Sequence, residues 1–234
     1  MQIIAEIGVN WDGNFELLKE MMQQAKLAGC DLVKFQAFTK EMIKDHPESE
    51  RLEKSSISKE NVQRIDKLSN QIGIEWFCTP MYSEAVDFLN PYVKRFKIRE
   101  VDARPLLENQ TTELFEKLLK TDKEIIISSE KSPRNCKYFG LKNLKWLYCV
   151  PKYPCSVTDF DFTKINDFDG FSNHSNEMIV PIISAVLGGK IIEVHVTIDK
   201  RKKFFDNNVS FNFLELKEII KNVHISDQIK KNSI

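Results

Sequence analysis

Two histidines one strand-helix unit apart carry the plainest chemical signal in this chain. His174 lies in Phe171-Ser172-Asn173-His174-Ser175 and His195 in Glu193-Val194-His195-Val196-Thr197, each where a predicted buried strand ends. Neutral imidazole is the commonest metal ligand, and two imidazoles on neighbouring strand ends can share one cation. Histidines hydrogen-bonded in the core or set on the surface are the alternative. Period-2 alternation over 191–198 puts Ile191, Glu193, His195 and Thr197 on one face and Ile192, Val194, Val196 and Ile198 on the other. Three further strands repeat the pattern: Glu6 follows Ile4, Lys34 and Gln36 share a face with Leu32, and Lys97 shares a parity with Arg99. Charged side chains in a packed interior are costly unless paired or used. Four strands in agreement point to a site, with a stabilising Lys-Glu network as the alternative.

What must position these residues is a series of short apolar runs, at 2–7, 31–36, 73–78, 94–99, 124–128, 145–149, 168–171 and 190–197. Segments of helical periodicity separate most of them. Phe15, Leu18, Met22 and Ala25 recur at three-to-four-residue spacing and stop at Gly29, and similar segments fit 59–71, 83–89, 105–120, 176–188 and 211–222. Eight strands alternating with helices predict the α/β class and a single (β/α)8 TIM barrel, whose sites lie at the C-terminal ends of the strands. The barrel is expected over 1–222, with 223–234 as a tail. The unit at 150–167 has little room for a full helix, and a doubly wound open sheet is the alternative fold.

Length and charge narrow the function classes. A chain of 234 residues lies in the range of one such barrel, roughly 200–400 residues. Lys plus Arg equals Asp plus Glu at 34 each, so no global field attracts nucleic acid or a membrane surface, and partners should be small molecules or protein. Five cysteines, Cys30, Cys78, Cys136, Cys149 and Cys155, without a C-x-x-C pair suggest a reducing compartment. The opening MQIIAEIG has no charged leader, and the apolar stretch at 178–189 is broken by Pro181 and well short of about 20 residues. A cytoplasmic protein is expected.

Other signals have plainer readings. Arg99, Arg104 and Arg134 form either an anion cradle or solvated surface. Lys200 to Lys203 lies between Asp199 and Asp206 and reads as a solvated loop. His46 and His224 read as surface residues. Trp11 beside Asp12-Gly13 either stacks on a sugar face or packs over the barrel mouth.

In its motifs the chain resembles the sialic acid synthase family. The resemblance runs from Ile3 to about residue 220 through A-E-I-G-V-N at 5–10, V-K-F-Q at 33–36, C-T-P at 78–80, F-K-I at 96–98, P-L-L at 105–107, Y-P at 153–154, S-N-H at 172–174 and E-V-H-V-T-I-D at 193–199. Each is weak alone; their order and spacing are specific to the family. The resemblance implies condensation of phosphoenolpyruvate with an N-acylated amino sugar to give a nonulosonic acid and phosphate. It implies that His174 and His195 bind a divalent metal, usually manganese, with Glu6 as the carboxylate near it. Lys34 and Lys97 would hold phosphoenolpyruvate, with Thr79, Ser128 and Ser172 as hydroxyl or backbone partners. Gln36, Tyr153 and Asp206 would face the sugar.

The chain departs from the family pattern at Asn10-Trp11-Asp12-Gly13, at Asn173, at Lys152, at Phe205-Asp206-Asn207 and at the phosphate. Glu100 replaces a phosphate-binding serine, and Glu130 places a second carboxylate in the next strand's loop. A like-charge pair at about 4 Å costs on the order of 4 kcal/mol at an effective dielectric of 20. Arg99, Lys131 and Lys152 would offset that if they turn inward. The expectation is that the metal half of the site persists and the phosphate half has changed. Family synthases continue into an antifreeze-like cap, which here would come from a separate capping protein or be replaced by an open mouth; a homodimer is also expected. The alternative functions are a metal-dependent barrel lyase or isomerase on another sugar, and a non-catalytic sugar-binding or regulatory subunit.

Overall fold

A computed structural model of the chain describes residues 1–231. Eight parallel strands close into one barrel in chain order: β1 (Gln2–Gly8), β2 (Leu32–Ala37), β3 (Glu75–Pro80), β4 (Arg95–Ile98), β5 (Glu124–Ser129), β6 (Leu144–Tyr148), β7 (Gly170–Asn173) and β8 (Ile191–His195). Every expected strand is present, and closure of β8 onto β1 excludes the open sheet. The helices are α1 (Phe15–Ala28), α2 (Ser49–Glu53), α3 (Val62–Ile72), α4 (Ser83–Leu89), α5 (Glu100–Leu107), α6 (Glu113–Leu119), α7 (Ile179–Val186) and α8 (Phe213–Lys231).

The first unit shows how local sequence sets these elements. Asn14 caps α1 by accepting from the N–H groups of Glu16 and Leu17. Leu18, Met21, Met22, Ala25 and Ala28 form the buried stripe, and Gly29, at φ 101°, ends the helix in the left-handed conformation. Two expectations are corrected. The segment expected as one helix at 105–120 is two, because α5 starts at Glu100, directly after β4, and α6 restarts behind the Thr112 cap. The boundary expected at 222 falls inside α8, which packs on α1 and α7. Between β6 and β7 only two short 3-10 turns, 157–159 and 162–167, fit.

Register explains how the polar residues meet. Glu6 lies beside Lys34 on one side and His195 on the other, and Glu193 lies beside Ser172. Two residues earlier on the same faces stand Ile4, Leu32, Phe77, Ile126 and Leu147, all buried, so an apolar layer lies beneath the polar one. Lower still, Arg95 bridges Glu75 at 3.0 Å and Glu124 at 3.1 Å across the N-terminal ends of three strands. The five cysteines are free and buried. Among the described residues no helix is long and apolar enough to cross a membrane.

The β7-β8 seam, which carries Ser172 and Glu193, admits no side chain at Gly170. A Cβ there would lie 2.0 Å from the carbonyl oxygen of Ile191. Gly170→Ala should therefore destabilise the protein by about 3 kcal/mol, the upper range for overpacking a core. Urea unfolding checks this; a variant within about 0.5 kcal/mol of wild type would show that the seam yields freely.

Candidate functional site

A cavity of about 460 Å³ opens at the C-terminal ends of the strands. Its floor is a buried ionic lattice centred on Glu193. One carboxylate oxygen of Glu193 accepts from Ser172 Oγ at 2.7 Å, and both accept from Lys97 Nζ, at 3.0 and 3.1 Å. Lys34 Nζ stands 3.7 Å from Glu193, 3.0 Å from Glu6 Oε2 and 3.3 Å from Thr79 Oγ1. Glu6 Oε1 accepts from Gln36 Nε2 at 2.8 Å. Strand parity aims all of these inward from β1, β2, β3, β4, β7 and β8.

Burial and charge divide the two carboxylates. Burial pushes the Glu6 carboxyl up, to about 7, and the nearby Glu193 carboxylate adds to the rise, while Lys34 and Gln36 offset only part of it. Burial alone would raise Glu193 too, but Lys34, Lys97 and the Ser172 hydroxyl outweigh it and hold that carboxylate low. Lys34 stays above its ordinary value because Glu193 and Glu6 outweigh its burial; in Lys97 burial wins and lowers it. Near neutral pH the lattice thus holds two ammonium groups, one firm carboxylate and one carboxyl poised between states. Such a lattice suits an anionic substrate and proton transfer.

The two histidines adjoin this lattice with ring centroids 5.4 Å apart. His174 Nδ1 lies 2.8 Å from the carbonyl oxygen of Val150, and His195 Nδ1 lies 3.3 Å from that of Asn173. Burial pushes both imidazoles down, His174 to about 4 and His195 to about 3. They are neutral at pH 7, with Nδ1–H committed to the backbone and the Nε2 lone pair left for another partner. In His174 that partner is the Tyr153 hydroxyl, at 2.7 Å, with the two rings stacked at 4.1 Å. The two Nε2 atoms fit a divalent cation held by two protein ligands once the Tyr153 hydroxyl yields its place on His174. Among the described residues no cluster of three or more His, Cys, Asp or Glu side chains could hold a metal ion.

Glu6, Lys34, Lys97, Asp206, Gln36, Thr79, Ser128, Tyr153, Ser172, Arg99, His174 and His195, the residues singled out in the sequence, all line this cavity. Asp206 reaches it from the loop after β8. Its backbone N–H is held by Asn10 Oδ1 at 2.9 Å, and burial pushes its carboxyl up to about 6 against the pull of Lys34. Gly8, at φ 53°, makes room: a Cβ there would lie 3.0 Å from Glu6 Oε1, 3.2 Å from Gln36 Nε2 and 3.3 Å from Asp206 Oδ2.

Several expectations need correction. Glu100 does line the cavity, but its partner is Arg104, one helical turn on at 2.8 Å, rather than Arg99, which pairs with Asp102 at 2.6 Å. Glu130 is exposed and outside the cavity wall, because Ser129 Oγ donates to the Lys131 carbonyl at 2.6 Å and turns the loop away. Lys131 is exposed, and Lys152 pairs with Asp159 instead of turning inward. Trp11 is fully buried, donating to the Ser55 carbonyl and packing on Phe15, so it presents no face to a ligand. Arg134 pairs with Asp167 on the surface. Thr197 lies beyond the end of β8 and does not line the cavity. Glu193 was not among the candidates, although its parity with His195 marked it.

Comparison with known proteins places these features in context. The NeuB family matches residues 21–234. The N,N'-diacetyllegionaminic acid synthase of Legionella pneumophila is 28% identical over 262 residues, covering 97% of this chain and 72% of that protein. The N-acetylneuraminate-9-phosphate synthase of Homo sapiens is 26% identical over 259 residues, covering 97% of this chain and 70% of that protein. The crystal structure of an N-acetylneuraminic acid synthetase from Leptospira borgpetersenii shares the fold, with a TM-score of 0.83 at 23% identity over 97% of this chain and 84% of that one.

Two predictions follow from the lattice and the imidazoles. Glu193→Gln strands the buried ammonium of Lys97, leaves Lys34 with Glu6, and should cost about 3 kcal/mol in denaturant unfolding, whereas loss below about 1 kcal/mol would deny Glu193 its central place. A buried histidine with a depressed pKa contributes stability that is full above about 6.5 and is lost as pH falls through the folded value, at about 1.4 kcal/mol per pH unit. His195→Asn should therefore gain on wild type by about that slope between pH 6.5 and 4. A constant difference across this window would mean that His195 is not held neutral.

Proposed function

The chain belongs to the NeuB family, and on that premise we propose that it is a carbon-carbon bond-forming synthase that joins phosphoenolpyruvate to an N-acylated amino sugar. The products are a nonulosonic acid and inorganic phosphate. The observation that carries this reading is the convergence, in one buried cavity, of two ammonium groups, a carboxyl poised near neutrality and two neutral imidazoles.

In this reading His174 and His195 hold a divalent cation, manganese being the family's usual choice. When bound, the cation supplies Lewis acidity toward the aldehyde oxygen of the open-chain sugar. Lys34 and Lys97 hold the anionic phosphoenolpyruvate, aided by the hydroxyls of Thr79, Ser128 and Ser172. The enol carbon bonds to the aldehyde carbon, and Glu6 donates a proton to the oxygen that becomes a hydroxyl. Water then adds to the former enol-phosphate carbon, its proton passing to Glu6, and phosphate departs with cleavage of the carbon-oxygen bond. Gln36 and Asp206 orient the sugar hydroxyls. Tyr153 closes that side of the cavity, and its hydroxyl, which takes the one lone pair of His174 Nε2, must turn aside for His174 to hold the cation.

The phosphate half is altered relative to the family pattern. The Glu100-Arg104 pair occupies the cavity wall with no net charge, so an arriving phosphate must draw Arg104 away from its carboxylate. The same observation favours a second reading, a metal-dependent lyase or isomerase acting on a sugar without phosphoenolpyruvate.

A phosphate-release assay with manganese, phosphoenolpyruvate and a panel of N-acylated amino sugars separates the two. The synthase requires release that depends on both substrates, and His174→Ala should reduce it at least 100-fold while weakening manganese binding seen by calorimetry. Sugar turnover without phosphate release would overturn the synthase in favour of the lyase or isomerase. Glu100→Ser should lower the KM for phosphoenolpyruvate about tenfold, because Arg104 is then free for phosphate; an unchanged KM would mean that the phosphate binds elsewhere.

A further inference from the structure

The cavity does not end at the lattice. Past Gln36, Met81, Arg99 and Asp206, which belong to both spaces, it runs into a second chamber of about 550 Å³ beneath the 38–52 segment. Val9, Phe38, Ile43, Leu52 and Phe205 give this chamber apolar walls. The cation among its described lining residues is Arg99, and Asp102 engages that guanidinium at 2.6 and 3.1 Å. Arg51, near the Phe205 ring at 4.7 Å, is held by Asp12 and Glu48. The carboxylate facing the chamber is Asp206. His46 is exposed, as the sequence suggests, and also lines the wall, its ring 5.6 Å from that of Phe205. Its Nδ1 accepts the Glu48 N–H at 3.1 Å, which leaves Nε2–H as a donor.

We propose that this chamber receives the end of the sugar farthest from the aldehyde, and that this end is uncharged and bears an apolar methyl or acyl group rather than a phosphate ester. The inference rests on the synthase reading of the first cavity. The imidazoles line the first space alone, so the aldehyde belongs there, and the shared residues Gln36 and Asp206 stand where the sugar passes between the two. A phosphate dianion in the chamber would exchange water for apolar walls, a carboxylate and a guanidinium already engaged. A methyl group fits those walls, and the carbonyl of an acyl group has the His46 N–H to accept from.

The test compares N-acetylmannosamine, its 6-phosphate and its 6-deoxy counterpart as partners for phosphoenolpyruvate. The expected kcat/KM of the 6-deoxy sugar is about tenfold above that of the parent, and that of the 6-phosphate at least 100-fold below it. A 6-phosphate used as well as the parent would overturn the assignment. Turnover of none of the three counts against the synthase reading, and direct binding of the same sugars by calorimetry then decides the chamber by itself. Binding in the order deoxy, parent, phosphate sustains it; tightest binding of the phosphate, or no discrimination, overturns it. Met42→Arg places a free cation on an exposed part of the wall and should raise binding of the 6-phosphate relative to the parent about tenfold, whereas an unaltered ratio in the folded variant would show that the sugar's far end lies elsewhere.

Discussion

The site depends on one carboxylate that cannot leave the barrel interior. Glu193 is buried among Ser172, Lys97 and Lys34, and each of those groups would be costly there without it. Its firm negative charge pairs with Lys97 and, together with Glu6, with Lys34, above the apolar layer of Ile4, Phe77, Ile126 and Leu147. Burial, with a smaller push from Glu193, raises the neighbouring Glu6, so a second carboxyl on the same floor remains able to exchange a proton near neutrality. Anion binding and proton transfer therefore draw on one electrostatic arrangement.

The part of this arrangement legible in the sequence is the part governed by strand alternation. Period-2 parity puts Glu6, Lys34, Lys97, Glu193 and His195 on inward faces, and parallel register does the rest. The resemblance to the sialic acid synthase family supplied roles that parity alone could not. What escaped the sequence lies where the backbone leaves the strands. Arg104 reaches Glu100 because α5 begins at the residue after Arg99, whereas helical periodicity suggested a start at 105. Glu130 turns away through a hydrogen bond between a side chain and a backbone carbonyl two residues on, which no pattern announces. His46 comes to a cavity wall because Arg51 ties its segment to Asp12, 39 residues earlier, and to the backbone of Lys203.

The two halves of the cavity differ in how firmly their charges are committed. On the floor, the lysines and Glu193 are buried and paired, so their arrangement is set by folding, and Glu6 is the carboxyl left poised. On the wall formed by α5, Arg99 with Asp102 and Arg104 with Glu100 are partly exposed pairs of the kind that surface water and salt weaken. The floor is thus preorganised, while the wall rearranges at modest cost.

The pairing of β1 with β8 joins Glu6 to His195, residues from opposite ends of the sequence. A growing polypeptide leaving the ribosome therefore carries Glu6, Lys34 and Lys97 well before the strand that bears Glu193 exists. Until then those charged groups have no dry interior to enter, and the first seven strands present an unclosed edge to their surroundings. Such a topology leaves the charged floor without Glu193 until the strand that closes the barrel is added.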